Sequence, residues 1–330
     1  MRYTTIGTLA LSAAMILANG APTPVGSTMA AASAQGITPR HEHGYVKVGN
    51  KFYLLGGRRI QPVDIFDPAT GAWTKGAPPP VEIHHFQAVV FDNKIYLVGA
   101  MTGAYPKEPP LAHVYIYDPA ANAWSRGPEV PADRRRGGAG AVVYGNEIIL
   151  VAGITNGHYD GHVTWVDALN PRTGAWRRLP DAPRARDHFH AAIIGDKIYV
   201  AGGRRSSAAT NETFQLTEAA VDVFDLKTNQ WATLPASGHI PTPRAGAAAS
   251  VVDGRLIVLG GESGQPIAHD AVESLDPATG RWSILAPLSM GRHATQAILH
   301  EGRIYLASGS RTRGATEVDT QEIYTPAAGK

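Results

Sequence analysis

The sequence predicts an all-β fold: a six-bladed propeller of four-stranded antiparallel blades. Three features point there. A short apolar strand ending in a pair of small residues occurs six times. A polar turn followed by a tryptophan occurs five times at nearly constant spacing. Glycine and proline, 36 and 24 of 330 residues, make up about 18% of the chain against roughly 12% in an average protein, without a collagen period. Such an excess means many tight turns.

The strands ending in small pairs are residues 52–57, 95–100, 148–153, 198–203, 256–261 and 304–309. The turns that lead into tryptophan are residues 67–73, 118–124, 170–176, 225–231 and 276–282, with the tryptophans 51, 52, 55 and 51 residues apart; only Trp165 lies outside the series. Each unit parses as four strands. Strand a precedes a polar turn, as in residues 140–144, and strand b ends at the small pair. Strand c precedes the Asp-Pro or its equivalent, as in residues 63–66, and strand d begins at the tryptophan. The a–b links are dipeptides such as Gly49-Asn50, Asp92-Asn93, Gly145-Asn146 and Asp253-Gly254, which supply the positive φ of tight hairpins. In the c–d turns proline fixes φ and Gly or Asn takes the left-handed position. One such sheet cannot bury both faces alone, whereas six stacked radially can. Residues 37–330 allow 49 residues per unit. A doubly wound α/β fold would need amphipathic helices between strands, and the sequence contains none. The glycine-rich run at residues 137–140 precedes a strand, not a helix, so it is no nucleotide loop.

Composition removes several function classes. With no cysteine there is no disulfide, thiolate metal site or cysteine nucleophile. Thirty basic against 28 acidic residues, a net charge of +2, gives no electrostatic case for nucleic acid. At the N-terminus one basic residue, Arg2, is followed by an apolar run at residues 6–18. That run is too short for a membrane helix but suits a signal-peptide core. Residues 1–20 are therefore read as an export signal, with an alternative cleavage point after Ala34. Residues 21–36 form a linker or closing segment, and residues 37–330 the propeller. The expected location is the periplasm or the medium. No later stretch reads as a transmembrane segment.

The arginine leading into strand a, the small pair and the following tryptophan together resemble the Kelch repeat over essentially the whole mature chain. The resemblance implies a β-propeller and leaves function open, because such propellers include a sialic-acid mutarotase, galactose oxidase and pure interaction modules. Galactose-oxidase chemistry is excluded, since its cross-linked tyrosine needs a cysteine. Kelch-like units also imply a structural role for the arginines, bonding turn carbonyls of the adjacent blade. The sixth unit supplies strand c at residues 321–324 and then no strand d. Either this blade is incomplete or the N-terminal segment closes it. Cleavage after Gly20 leaves residues for that task; cleavage after Ala34 leaves too few.

In up-and-down blades the b–c loops and the d–a crossings share one face. The long insertions, residues 101–112, 154–162, 204–218 and 262–269, fall on that face, where binding sites usually sit. Twelve of the 13 histidines fall there too; only His300 does not. Aligned on the small pair, the units place Arg40, Ile83, Arg136, Arg186, Arg244 and Arg292 at one position. The two positions after it carry His41-Glu42, His84-His85, Gly137-Gly138, Asp187-His188, Ala245-Gly246 and His293-Ala294. These segments converge on the propeller axis.

A ring of guanidiniums suits a carboxylate, sulfate or phosphate. Arg40, Arg136, Arg186, Arg244, Arg292 and His293 are thus candidate substrate-binding residues. His85 and His188 are candidate proton-transfer residues. His41, His43, His84, His85, His188 and His190, with Glu42 or Asp187, are candidate ligands of zinc, copper or iron. Three functions stay open: a propeller binding an anionic carbohydrate or a protein partner, a sugar-acid mutarotase, epimerase or uronate lyase, and a metal-dependent enzyme.

Overall fold

The computed structural model describes Met1, residues 26–29 and residues 36–326. The expected signal segment and its cleavage points lie outside the described residues. Six four-stranded antiparallel sheets stand around one axis. In blade 1, strands a to d are His43–Val48, Lys51–Gly56, Val63–Asp67 and Ala72–Gly76. Strand a is innermost in each blade, and blades 2 to 5 begin at Ala88, Gly140, Ala191 and Ala248. Blade 3 carries an extra hairpin, Ile154–Asn156 with Asp160–His162, in its b–c loop. The described helical content is three single 3-10 turns, and no described helix is long and apolar enough to cross a membrane.

Closure of the sixth blade, left open by the sequence, comes from the N-terminal side. Gly26–Met29 pairs antiparallel with Gln321–Thr325, Ser27 opposite Tyr324, and so serves as strand d beside strand c of blade 6. An edge strand without that partner exposes a row of unpaired amides and carbonyls. A chain starting at residue 35 is therefore expected to melt several degrees lower than one starting at residue 21, and to self-associate. Melting curves and light scattering on the two check this.

Burial follows the radial design. Six apolar clusters fill the six gaps between neighbouring blades. Val46, Tyr53 and Leu55 of blade 1 pack on Phe86, Ile95 and Tyr117 of blade 2, and the series closes where Tyr45, Phe52 and Leu54 meet Ile298 and Tyr305 of blade 6. The repeated tryptophan ties blades at the outer edge: Trp124, Trp176, Trp231 and Trp282 each donate Nε1–H to a carbonyl of the preceding blade's exit loop, at 2.8–2.9 Å.

The small pair has a separate cause. Its second residue donates its amide to the carbonyl of the residue leading into strand a of the next blade: Gly57 to Ile83, Gly153 to Arg186, Gly203 to Arg244, Gly261 to Arg292 and Gly309 to Arg40. So close a backbone approach admits only Gly, Ala or Ser at the pair, and in blade 5 it leaves no room for any side chain. A Cβ on Gly260, whose φ is +65°, would stand 2.1 Å from the Arg292 carbonyl oxygen.

Candidate metal centre

The arginine ring expected to receive an anion is part of the scaffold instead. Arg40, Arg136, Arg186, Arg244 and Arg292 are all buried. Each guanidinium donates to the first carbonyl of its own blade's small pair and to a carbonyl at the start of strand c. Arg136 donates to Ala152 O at 2.6 Å and Trp165 O at 3.1 Å, and Arg186 to Gly202 O at 2.8 Å and Ala220 O at 3.0 Å. Each also meets an acid on strand c: Asp64, Asp167, Asp222, Glu273 and Glu322 in turn. Burial pushes Arg136 down to about 10, still cationic at neutral pH beside Asp167. The carbonyls belong to the same blade, not to the adjacent one that the resemblance implied. With their donors committed this way, these five residues do not form an anion receptor.

The next layer is a closed annulus. Glu42, His85, Gly138, His188, Gly246 and Ala294, one from each blade, all have φ between 54° and 61°. Each amide donates to the carbonyl of its counterpart in the preceding blade, from His85 N–H to Glu42 O round to Glu42 N–H to Ala294 O, at 2.6–3.2 Å. The left-handed backbone is what allows one residue to donate and accept around the ring. Gly138 and Gly246 adopt it freely. In Glu42, His85, His188 and Ala294 it costs of order 1 kcal/mol each or more, which the closed ring of bonds compensates.

Three of these side chains, Glu42, His85 and His188, meet a fourth from a loop. Glu42, His85, His188 and His158, at the turn of the blade 3 hairpin, offer ligand atoms all within 4.8 Å of one another. The imidazole centroids stand 4.6–4.9 Å apart. A tetrahedral ion with bonds of about 2.0–2.2 Å sets its ligand atoms roughly 3.3–3.6 Å apart, so the widest pairs of the cluster close by about 1–1.5 Å on binding.

Hydrogen bonds fix which nitrogen each imidazole presents. His188 Nδ1–H donates to Asp187 Oδ1, leaving Nε2 buried and without a hydrogen-bond partner among the described residues. His158 Nδ1–H donates to Glu108 Oε2 at 2.9 Å. His84 Nε2–H donates to Gly103 O at 3.1 Å, so its Nδ1 accepts from His85 Nδ1–H. His85 Nε2 is then the lone-pair nitrogen, 3.4 Å from Glu42 Oε1. All three imidazoles present Nε2 while Nδ1 is held from behind, the arrangement that orients and strengthens metal-binding histidines. Burial pushes His85 well below the usual histidine range and lowers His158, which keeps both neutral, the ligating state.

Gly157, at φ +56°, lets the His158 turn sit against Glu108; a Cβ there would fall 2.0 Å from Glu108 Oε2. Arg58 closes this side, ion-paired with Glu108 and 3.5 Å from His85 Nε2. Above the cluster lies a cavity of about 380 Å³, with Glu42 and His158 in its wall. Below the annulus a chamber of about 20 Å³ reaches His43 and His190.

Of the expected ligands, His85 and His188 come together with Glu42. The other four do not. His84 supports His85 from behind. His41 is bonded to Glu317 at 2.7 Å. His43 binds Gly44 O and lies with His190 in the lower chamber. His293 donates Nε2–H to Thr312 O at 2.8 Å and belongs to the Glu262 side. His158 and Glu108 were not singled out from the sequence. Their nearest signal is that each stands in a long insertion on the histidine-rich face, Glu108 as the one acid of residues 101–112.

A closed ring of six such blades, tied by buried arginines and small-residue pairs and carrying its polar cluster at the axial mouth, is a repeat propeller. The chain belongs to the Kelch-repeat family: the KLHDC2/KLHL20/DRC7 Kelch-repeats domain matches residues 131–309, and the Kelch motif matches residues 83–131. It is 32% identical over 309 residues to "Kelch-like protein terF" of Aspergillus terreus (strain NIH 2624 / FGSC A1156), covering 87% of this chain and 65% of that protein. It is 27% identical over 259 residues to "Kelch-like protein 25" of Homo sapiens, covering 75% and 41% respectively. The chain thus spans about two fifths to just under two thirds of these relatives' lengths. A solved structure described as "Structure of YjhT" superposes with a TM-score of 0.76 at 16% identity, over 90% of this chain and 99% of that one, a likeness of fold.

Proposed function

We propose that this propeller is a metal-dependent protein that binds a first-row transition ion through Glu42, His85, His158 and His188 and acts on a small ligand in the cavity above. The observation that carries this reading is the set of three imidazoles with Nδ1 bonded from behind and Nε2 turned to one point beside a carboxylate. Packing alone does not require three histidines to converge beside a buried carboxylate. Three nitrogens and one carboxylate oxygen suit zinc, copper, iron or nickel. Bound there, the ion supplies Lewis acidity toward an oxygen of the ligand. The chain's own contribution is to hold the ion, place it at the cavity wall and keep Arg58 beside it. With residues 1–20 read as an export signal, the proposed compartment is the periplasm or the medium.

A second reading, a protein partner docked on the same rim, is favoured by Ile60, Tyr105 and Ile267, which are 53–60% exposed in b–c loops of blades 1, 2 and 5. Metal analysis separates the two. Protein dialysed against zinc and then against buffer is expected to retain about one equivalent per chain, and His188→Ala or His158→Ala to retain less than about a tenth of that, with melting in metal-free buffer little changed. Wild-type protein that retains none after loading with zinc, copper, iron and nickel in turn sinks the metal reading and leaves the docking one.

A further inference from the structure

The cavity above the centre has a wall chemistry of its own, and its meaning rests on the ion site just proposed. Its volume, about 380 Å³, is at the small end of ligand pockets, which run to roughly 1,000 Å³. Tyr105 and Phe214 line it, with Gly314 and Ala315 between the polar residues. The Tyr105 ring stands 5.2 Å from the His158 ring. Two guanidiniums lie against Phe214, Arg204 at 4.9 Å and Arg313 at 5.2 Å. Such walls of flat rings and planar cations favour flat ligands. Much of the polar lining is already engaged within the protein, His41 with Glu317, Arg58 with Glu108 and Glu262 with Arg204, and is not free to bind the hydroxyl groups of a sugar.

Charge around the cavity depends on the ion. Glu42, Glu108, Asp187, Glu262 and Glu317 gather near it, held by ion pairs or contacts to Arg58, Arg59, Arg204 and their neighbours. With Arg313 there are four guanidiniums against five carboxylates, and a divalent ion adds two positive charges to that set. An acceptor is also missing. Arg204 is buried, bonded through Nε to Ser206 Oγ and through Nη1 to Glu262, yet its Nη2 has no hydrogen-bond partner among the described residues. The Arg313 guanidinium donates to Gly264 O and is exposed at the cavity wall.

We infer that the ion-loaded site takes a small planar monoanion, an aryl or conjugated carboxylic acid. Its carboxylate faces the ion and Arg58, and its flat body lies along Tyr105 and Phe214. A polyhydroxylated sugar acid meets the same cations but not the same walls. A neutral amide of the same shape meets the walls but not the charge.

Isothermal titration of zinc-loaded and chelator-treated protein with benzoate, benzamide, cyclohexanecarboxylate and glucuronate tests this, with zinc content measured on each sample. Benzoate is expected to bind the loaded protein at least about tenfold more tightly than it binds the chelated protein, and about tenfold more tightly than benzamide binds the loaded one. Cyclohexanecarboxylate and glucuronate should bind more weakly than benzoate. Phe214→Ala and Arg313→Ala should each weaken benzoate several-fold at unchanged zinc content. Fully loaded protein that binds benzoate no better than benzamide, or prefers glucuronate, overturns this inference alone. Protein that takes up no ion overturns it together with the metal reading.

Discussion

Replacing Arg244 by methionine is expected to lower the melting temperature by roughly 6–12 °C, while the double replacement Arg244→Ile with Glu273→Tyr recovers more than half of that loss. The single change leaves Glu273 buried without its cation, and breaking one side of a buried pair costs about 3–5 kcal/mol. For a chain of this size each kcal/mol is worth about 2 °C or somewhat more. It also strips the donor from Thr242 O and Val258 O. The double change copies a solution already in the molecule. Blade 2 has Ile83 where the other five blades have arginine, and Tyr115 where the other five have the strand-c acid; both pack in the apolar gap between blades 1 and 2. Five blades keep both charges and one keeps neither, as expected if half a pair is what a blade cannot tolerate. Equal melting temperatures for the single and double variants, measured calorimetrically, would show that the carbonyl bonds, not the ion pair, hold the blade.

That covariation was open to view in the sequence and went unread. The repeat phase placed the arginines at one structural position, but their partners lie about thirty residues away on strand c, in a different part of the repeat. Read separately, the arginines suggested an exposed anion ring; read with Asp64, Asp167, Asp222, Glu273 and Glu322 they describe a buried clamp. The fold was legible because each repeat must bury two sheet faces and make the same turns six times over. The site was legible only where the repeat carried it. His85 and His188 occupy a fixed place in the unit, so alignment put them at the axis with Glu42. His158 and Glu108 sit in insertions of different lengths from different blades, and a sequence carries no distance between such loops. The lining of the cavity, Phe214 from blade 4 and Arg313 from blade 6, was hidden for the same reason. The closing strand at Gly26–Met29 was foreseeable as a need of the ring, although its alanine- and serine-rich surroundings are weak strand formers.

Asp187→Asn and Glu108→Gln are each expected to weaken zinc binding by about 10–100-fold while leaving close to one equivalent bound at saturating zinc. Neither carboxylate belongs to the converging set; each acts through an imidazole. Asp187 accepts from His188 Nδ1–H, and also from the Ser206 amide at 2.9 Å and hydroxyl at 2.6 Å. An asparagine amide must turn its NH₂ toward one of these donors. Turned toward His188 it reverses the tautomer, so that Nε2 carries the proton and no longer presents a lone pair to an ion. Glu108 is in the same position, accepting from His158 Nδ1–H and from the His158 amide at 2.9 Å while paired with Arg58. A glutamine there loses the charge and offers a donor where donors already crowd. His188→Ala differs in kind: it removes a ligand, so stoichiometry and affinity fall together. The decisive comparison is therefore saturation against affinity. Positioning variants shift the zinc titration without lowering its plateau, whereas a ligand variant lowers the plateau. If Asp187→Asn and Glu108→Gln bind zinc with wild-type affinity, the Nδ1 bonds do not set which nitrogen faces the centre, and neither carboxylate is a positioning residue.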